Sequence, residues 1–235
     1  MNHAQPSFWH WPPWGHLAHA LLLGAAQTLW WVVIYGGANW LTSLHPYRVP
    51  IHLGAELHIP FVPVMIFGYF SIALVFLIAP FVLRTRQELH ALTAALAVVI
   101  FVAGLSFLAV PCELGFPPVP RSADEGVLIK LCAWARWMAL PHNMVPSLHV
   151  ALSAVCLAAY AEPAGPVGKL LLAAWAALIA LSTVLTHQHH LLDVATGLAL
   201  AWAGQHFIYN RWLRPGRQPA RIPRASPSTG RAQPA

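Results

Sequence analysis

Charge is what this sequence has least of. Only 9% of its 235 residues are Asp, Glu, Lys or Arg, against 58% hydrophobic residues. A soluble domain carries roughly 25% charged residues, so that class is excluded, and the mean hydropathy of +0.59 agrees. Acidic residues number seven, with no cluster of carboxylates suited to a hard cation such as Mg²⁺. Cysteine is scarce too. Cys112, Cys132 and Cys156 form an odd set without CxxC spacing, which excludes a disulfide framework and leaves packing in apolar helices as their role. Residues 1–19 contain no Lys or Arg, so the charged start of a cleavable signal peptide is missing and the first apolar stretch is expected to stay in the mature protein.

What the sequence does have is long uncharged apolar runs. A bilayer core needs ~20 such residues per helix, and runs fall at about 17–43, 61–83, 91–112, 146–161, 170–186 and 191–208. These predict an all-α integral membrane bundle of six helices. The last two runs are nearly continuous, too long for one crossing, and the polar residues Thr186, His187, Gln188, His189 and His190 at their junction predict a tight hairpin.

Six spans put both termini on one side, together with Arg84, Arg86 and Lys169. That side then holds nine basic residues and the other four, Arg48, Arg121, Lys130 and Arg136. The excess marks the cytoplasmic face, so the expected location is the inner (plasma) membrane, with both termini cytoplasmic and residues 44–60, 113–145 and 187–190 outside. The +6 net charge is no nucleic-acid signal, because six of the thirteen basic residues lie in the Pro- and Ser-rich tail, 209–235, which is expected to be disordered. An interfacial segment is expected at about 1–16, where Trp9, Trp11 and Trp14 suit anchoring, and an interfacial helix over 128–140.

Chemistry concentrates on the outer side. Asp193 is the only acidic residue inside any predicted span, where a carboxylate costs on the order of 3 kcal/mol unless partnered. His189 lies four residues earlier, on the same helical face. An Asp accepting from one imidazole nitrogen fixes the tautomer and makes the other a better nucleophile or base; a purely structural pair is the alternative. Upstream, Pro146 can open a helix whose free N–H groups attract phosphate. Ser147 adds a hydroxyl, and His149 a group able to protonate a leaving oxygen. His187 and His190 flank His189, but the remaining histidines show no paired ligand spacing on facing helices, so neither a metal nor a cofactor is expected.

Pro146-Ser147-Leu148-His149, then Ser182-Thr183, five residues, His189, three residues and Asp193, resembles the second and third motifs of the type 2 phosphatidic acid phosphatase superfamily. There the pattern reads Pro-Ser-Gly-His, then Ser-Arg, five residues, His, three residues and Asp. The resemblance implies His189 as the nucleophile taking a phosphoryl group, Asp193 as its orienting partner, His149 as the acid and Ser147 as a phosphate ligand, with a phosphohistidine intermediate and no metal.

Three departures accompany it. Thr183 stands for the family's Arg, Leu148 for its Gly, and the first motif, a Lys, six residues and Arg-Pro, is absent. Arg121 is the first candidate to neutralise phosphate in its place, and Arg136 the second. The Pro-Ser-Leu-His form and the segment His58-Ile59-Pro60-Phe61-Val62-Pro63 resemble the branch of inositol phosphorylceramide synthases and sphingomyelin synthase-like proteins. The expected partner is a membrane lipid, and the expected activity a lipid phosphatase or phosphotransferase. The competing class is a membrane transporter or degenerate relative using a His/Asp proton relay.

Overall fold

The computed structural model describes residues 11–44, 46–119 and 126–213. Helix α1, Trp14–Ser43, runs 30 residues and widens into a π-helical stretch at Val32–Gly36. Helix α2, Pro63–Val82, opens in a 3-10 turn led by Pro63. It bends at Ser71, whose hydroxyl donates to the Gly68 carbonyl at 2.7 Å. Helix α3, Arg86–Ala109, is followed by α4, Val127–Met138, α5, Leu148–Ala161, and α6, Pro166–Leu185. Helix α7, Leu191–Ala203, continues through a π-helical segment, Gly204–Tyr209, into Asn210–Leu213.

Among the described residues four helices, α1, α2, α3 and α6, are long and apolar enough to cross a membrane. Helix α5 has 14 residues, about 21 Å at 1.5 Å per residue, short of a full bilayer core. The apolar runs and the helices differ at their ends for local reasons. Helix α3 starts five residues before its apolar run, because the Thr85 hydroxyl accepts from Glu88 N at 3.1 Å and Glu88 Oε2 accepts from Thr85 N at 2.8 Å, capping a polar first turn. Helix α6 starts early at Pro166, whose fixed φ suits a first turn. The last helix runs past 209 to Leu213, since Tyr209 is buried and the Arg211 guanidinium sits 5.7 Å from the Phe207 ring centre. The rest of the predicted tail, like residues 1–10, lies outside the described residues.

Helix α5 is the centre of the bundle, packed against α2, α3, α6 and α7. Lipid removes the hydrophobic drive between helices, so small side chains that let backbones approach take over. Ala91, Ala95 and Ala103 of α3 and Ala151, Cys156 and Ala159 of α5 are all fully buried. The three cysteines are free and buried, as packing residues should be. Residues 49–50 and 112–113 form a two-residue parallel bridge, Val49 opposite Cys112, which ties the connection after α1 to the segment after α3. Helix α4 packs against the start of α2. It buries Cys132 and Ala135 while leaving Trp134 and Trp137 exposed.

Candidate active site

The 186–190 turn is built by the end of α6. The Thr186 hydroxyl donates to the Ser182 carbonyl at 2.7 Å, and the Thr183 carbonyl accepts from Gln188 N at 2.9 Å and His189 N at 3.1 Å. His187 sits in the left-handed region at φ 55°, and its Nε2 donates to the Ile59 carbonyl at 2.9 Å. Ser182 and Thr183 are wholly buried, the Thr183 hydroxyl turned back on the Ala180 carbonyl. Thr183 therefore supplies structure to the turn and no charge.

Asp193, also wholly buried, stands in the first turn of α7. Its Oδ2 accepts from His189 Nδ1 at 3.1 Å and from the His190 backbone N–H at 2.9 Å. A carboxylate here faces the positive end of the helix dipole. It also compels His189 to carry its proton on Nδ1, leaving Nε2 with a free electron pair. One side chain thus caps the helix and sets the imidazole tautomer.

His149 stands one residue into α5 and donates from Nε2 to the Tyr69 carbonyl at 2.8 Å. Its ring stacks on Tyr69 with centres 3.9 Å apart and planes at 19°, so Nδ1 is the ring atom left for proton transfer. Ser147 is the N-cap residue of α5, wholly buried, its hydroxyl accepting from Val150 N at 3.4 Å and its own N–H donating to the Asp193 carbonyl at 2.9 Å. The helix therefore begins one residue after Ser147. One of the N–H groups that the sequence leaves free for phosphate is taken up by Asp193, and another by the Ser147 hydroxyl.

His149 and His189 line one cavity of about 970 Å³. The cavity follows α1 from Leu17 to Tyr35, about 27 Å at 1.5 Å per residue, close to the ~30 Å of a hydrocarbon core. Its walls are apolar side chains of α1, α2, α3, α4 and α5, with Asn143, His149 and His189 among the few polar groups; among the described residues no Lys, Arg, Asp or Glu lines it. A hydrocarbon chain suits such walls. A phosphate at the histidine end meets imidazoles before any fixed cation.

The Arg136 guanidinium sits behind the turn, donating to the His187 carbonyl at 2.6 Å and the Phe116 carbonyl at 3.1 Å. Burial pushes its pKa down to about 10, which leaves it charged at neutral pH. It braces two backbone segments and is not among the cavity's lining residues. Arg121 lies outside the described residues. No group of three or more His, Cys, Asp and Glu side chains among the described residues is arranged to hold a metal ion.

Two residues of the site carried no signal in the sequence. Tyr69 supplies the carbonyl and ring that fix His149. Glu56, 3% exposed, reaches the turn from the connection between α1 and α2 and accepts from His190 Nδ1 at 3.0 Å.

Gly197 sets the distance between the two halves of the site. A Cβ there would fall 2.7 Å from the Ser147 backbone carbonyl, and backbone cannot rotate away. Gly197→Ala should push α7 from α5, part His189 from His149 and lower turnover on the order of 10²-fold, the cost of a misplacement near 1 Å. Kinetics on folded variant protein check this, and unchanged turnover would contradict the packing account.

Residues 117–216 match the family model of the PAP2 superfamily. The matched stretch contains Ser147, His149, His189 and Asp193, and it supports that superfamily and a phosphatase-type activity. A comparison with curated proteins found no match.

Proposed function

We propose that the chain is a multi-pass membrane enzyme of the PAP2 superfamily that breaks a lipid phosphoester through a phosphohistidine on His189. One observation carries the reading: His189, with Nδ1 fixed by Asp193 at 3.1 Å, opens with His149 into the same long apolar cavity. The His189 Nε2 pair attacks phosphorus while the bond to the leaving oxygen breaks, and His149, entering the step as imidazolium with Nε2–H on the Tyr69 carbonyl, gives that oxygen its Nδ1 proton and is left neutral. Water or a lipid hydroxyl then attacks the phosphohistidine, returning its proton to His149 and freeing His189. The first acceptor makes a phosphatase, the second a head-group transferase. The Pro-Ser-Leu-His form and the segment 58–63 favour the second.

In this reading six spans cross the inner (plasma) membrane with both termini cytoplasmic, as the nine-to-four basic asymmetry favours, and the substrate is met in the outer leaflet. Arg121 neutralises the phosphate, Ser147 reaches it only by releasing the Val150 N–H, and Arg136 joins only by leaving the His187 and Phe116 carbonyls. The test is product analysis of the purified protein in lipid discs, given phospholipids and lipid pyrophosphates with and without an acceptor alcohol. Phosphate release or head-group transfer is expected. No product from any lipid would favour a proton relay in a non-enzymatic protein.

Metal dependence gives an independent check. The reacting set is two imidazoles and one carboxylate, each already hydrogen-bonded within the protein, where a metal mechanism wants several hard oxygen ligands. Activity should survive EDTA. Full loss on chelation, restored by Mg²⁺ or Zn²⁺, would overturn the phosphohistidine step.

A further inference from the structure

A second buried carboxylate grips the same turn from the opposite side. Glu56 comes from the short 3-10 helix Gly54–His58. Its Oε1 accepts from Leu53 N at 3.2 Å, and its Oε2 accepts from His190 Nδ1 and Leu191 N, both at 3.0 Å. His190 Nε2 accepts from Gly115 N at 3.0 Å. A backbone N–H can only donate, so the His190 proton is confined to Nδ1, pointing at Glu56. The wholly buried His190 ring is also sandwiched, with Phe116 centred 4.4 Å away on 14° planes and His52 5.0 Å away on 27° planes. Gly115 makes this possible, since a Cβ there would collide with the His52 ring.

The two carboxylates hold consecutive backbone N–H groups, on the two peptides that meet at the His190 Cα. Asp193 Oδ2 holds the N–H of His190, and Glu56 Oε2 holds the N–H of Leu191. The same Asp193 oxygen takes the His189 Nδ1 proton. A shift of His190, which Glu56 holds through its ring and through the next N–H, therefore moves the N–H bonded to the oxygen that fixes His189. Burial alone would raise the Glu56 carboxyl, but the donors from Leu191, Leu53 and His190 outweigh it and hold the group ionised, below its usual range. Burial likewise keeps His190 neutral, against the pull of Asp193 and Glu56.

We propose that Glu56 is a positioning residue for His189, acting through His190 and the 190–191 peptide to hold the His189–Asp193 pair in register. The kinetic side rests on the phosphohistidine reading; the geometric side does not. Glu56→Ala should lower kcat about 10- to 100-fold, the usual effect of losing an outer partner of a reacting group, with KM within about twofold because the apolar cavity is untouched. Glu56→Gln keeps an oxygen for His190 and Leu191 and should restore most of the rate. Should Glu56→Ala fail to fold, Glu56→Asp, which keeps the charge but withdraws it by one methylene, takes its place.

The deciding readout is ¹⁵N NMR of the histidine-labelled full-length protein in lipid discs, with His189 assigned from a His189→Gln sample. Wild type should show His189 as a single Nδ1–H tautomer, and folded Glu56→Ala a mixture of both. A tautomer shift in a protein without lipid activity would remove the proposed reaction and leave the positioning role standing. Unchanged kcat and an unchanged His189 signal in folded Glu56→Ala would overturn the proposal.

Discussion

Replacing His189 by Ala should bring turnover of every lipid phosphoester to background while the protein stays folded. The side chain's one hydrogen bond among the described residues runs to Asp193, and its removal leaves Asp193 Oδ2 still accepting from the His190 N–H at 2.9 Å. The helix cap therefore survives, and the loss falls on chemistry. Nucleophile and partners act as a unit, so adding Asp193→Asn to His189→Ala should cost little more. Asp193→Asn alone keeps the imidazole but frees its tautomer, the kind of change that costs about 10⁴-fold where a carboxylate orients a catalytic histidine. Rates above background in folded His189→Ala protein would remove His189 from the nucleophile role.

His149→Ala should cost about 10²- to 10⁴-fold, the range for a general acid, and the size should depend on the leaving group. A lipid alkoxide is a strong base and needs its proton, whereas an aryl oxide leaves unaided. The penalty should therefore shrink sharply with an aryl phosphate. The structure adds a condition: His149 Nε2 is held by the Tyr69 carbonyl at 2.8 Å, so the transferred proton must travel from Nδ1. An equal penalty for alkyl and aryl substrates would assign His149 to phosphate binding instead.

What the sequence could and could not reveal follows from range. The apolar runs locate helices because a bilayer imposes a length on them, yet they miss ends such as Arg86–Leu89, where a capped polar turn precedes the apolar part. The His189–Asp193 pair is legible because four residues bring the two onto one helical face. Glu56 meets His190 across 134 residues, and no local pattern encodes that. Nor does one reveal that Arg136 is taken up by two carbonyls, or that Ser147 works as a helix cap. The cavity is equally silent in the sequence, since five helices far apart in the chain shape it only once packed.

The most direct measurement is to trap the intermediate. Purified protein mixed with a ³²P-labelled lipid phosphate is quenched in alkali, which preserves phosphohistidine, and digested to locate the label. Label on the peptide carrying His189, acid-labile and discharged by chasing with water or a lipid alcohol, is the predicted result. Label on His149, or steady turnover with no label on any residue, would contradict the account.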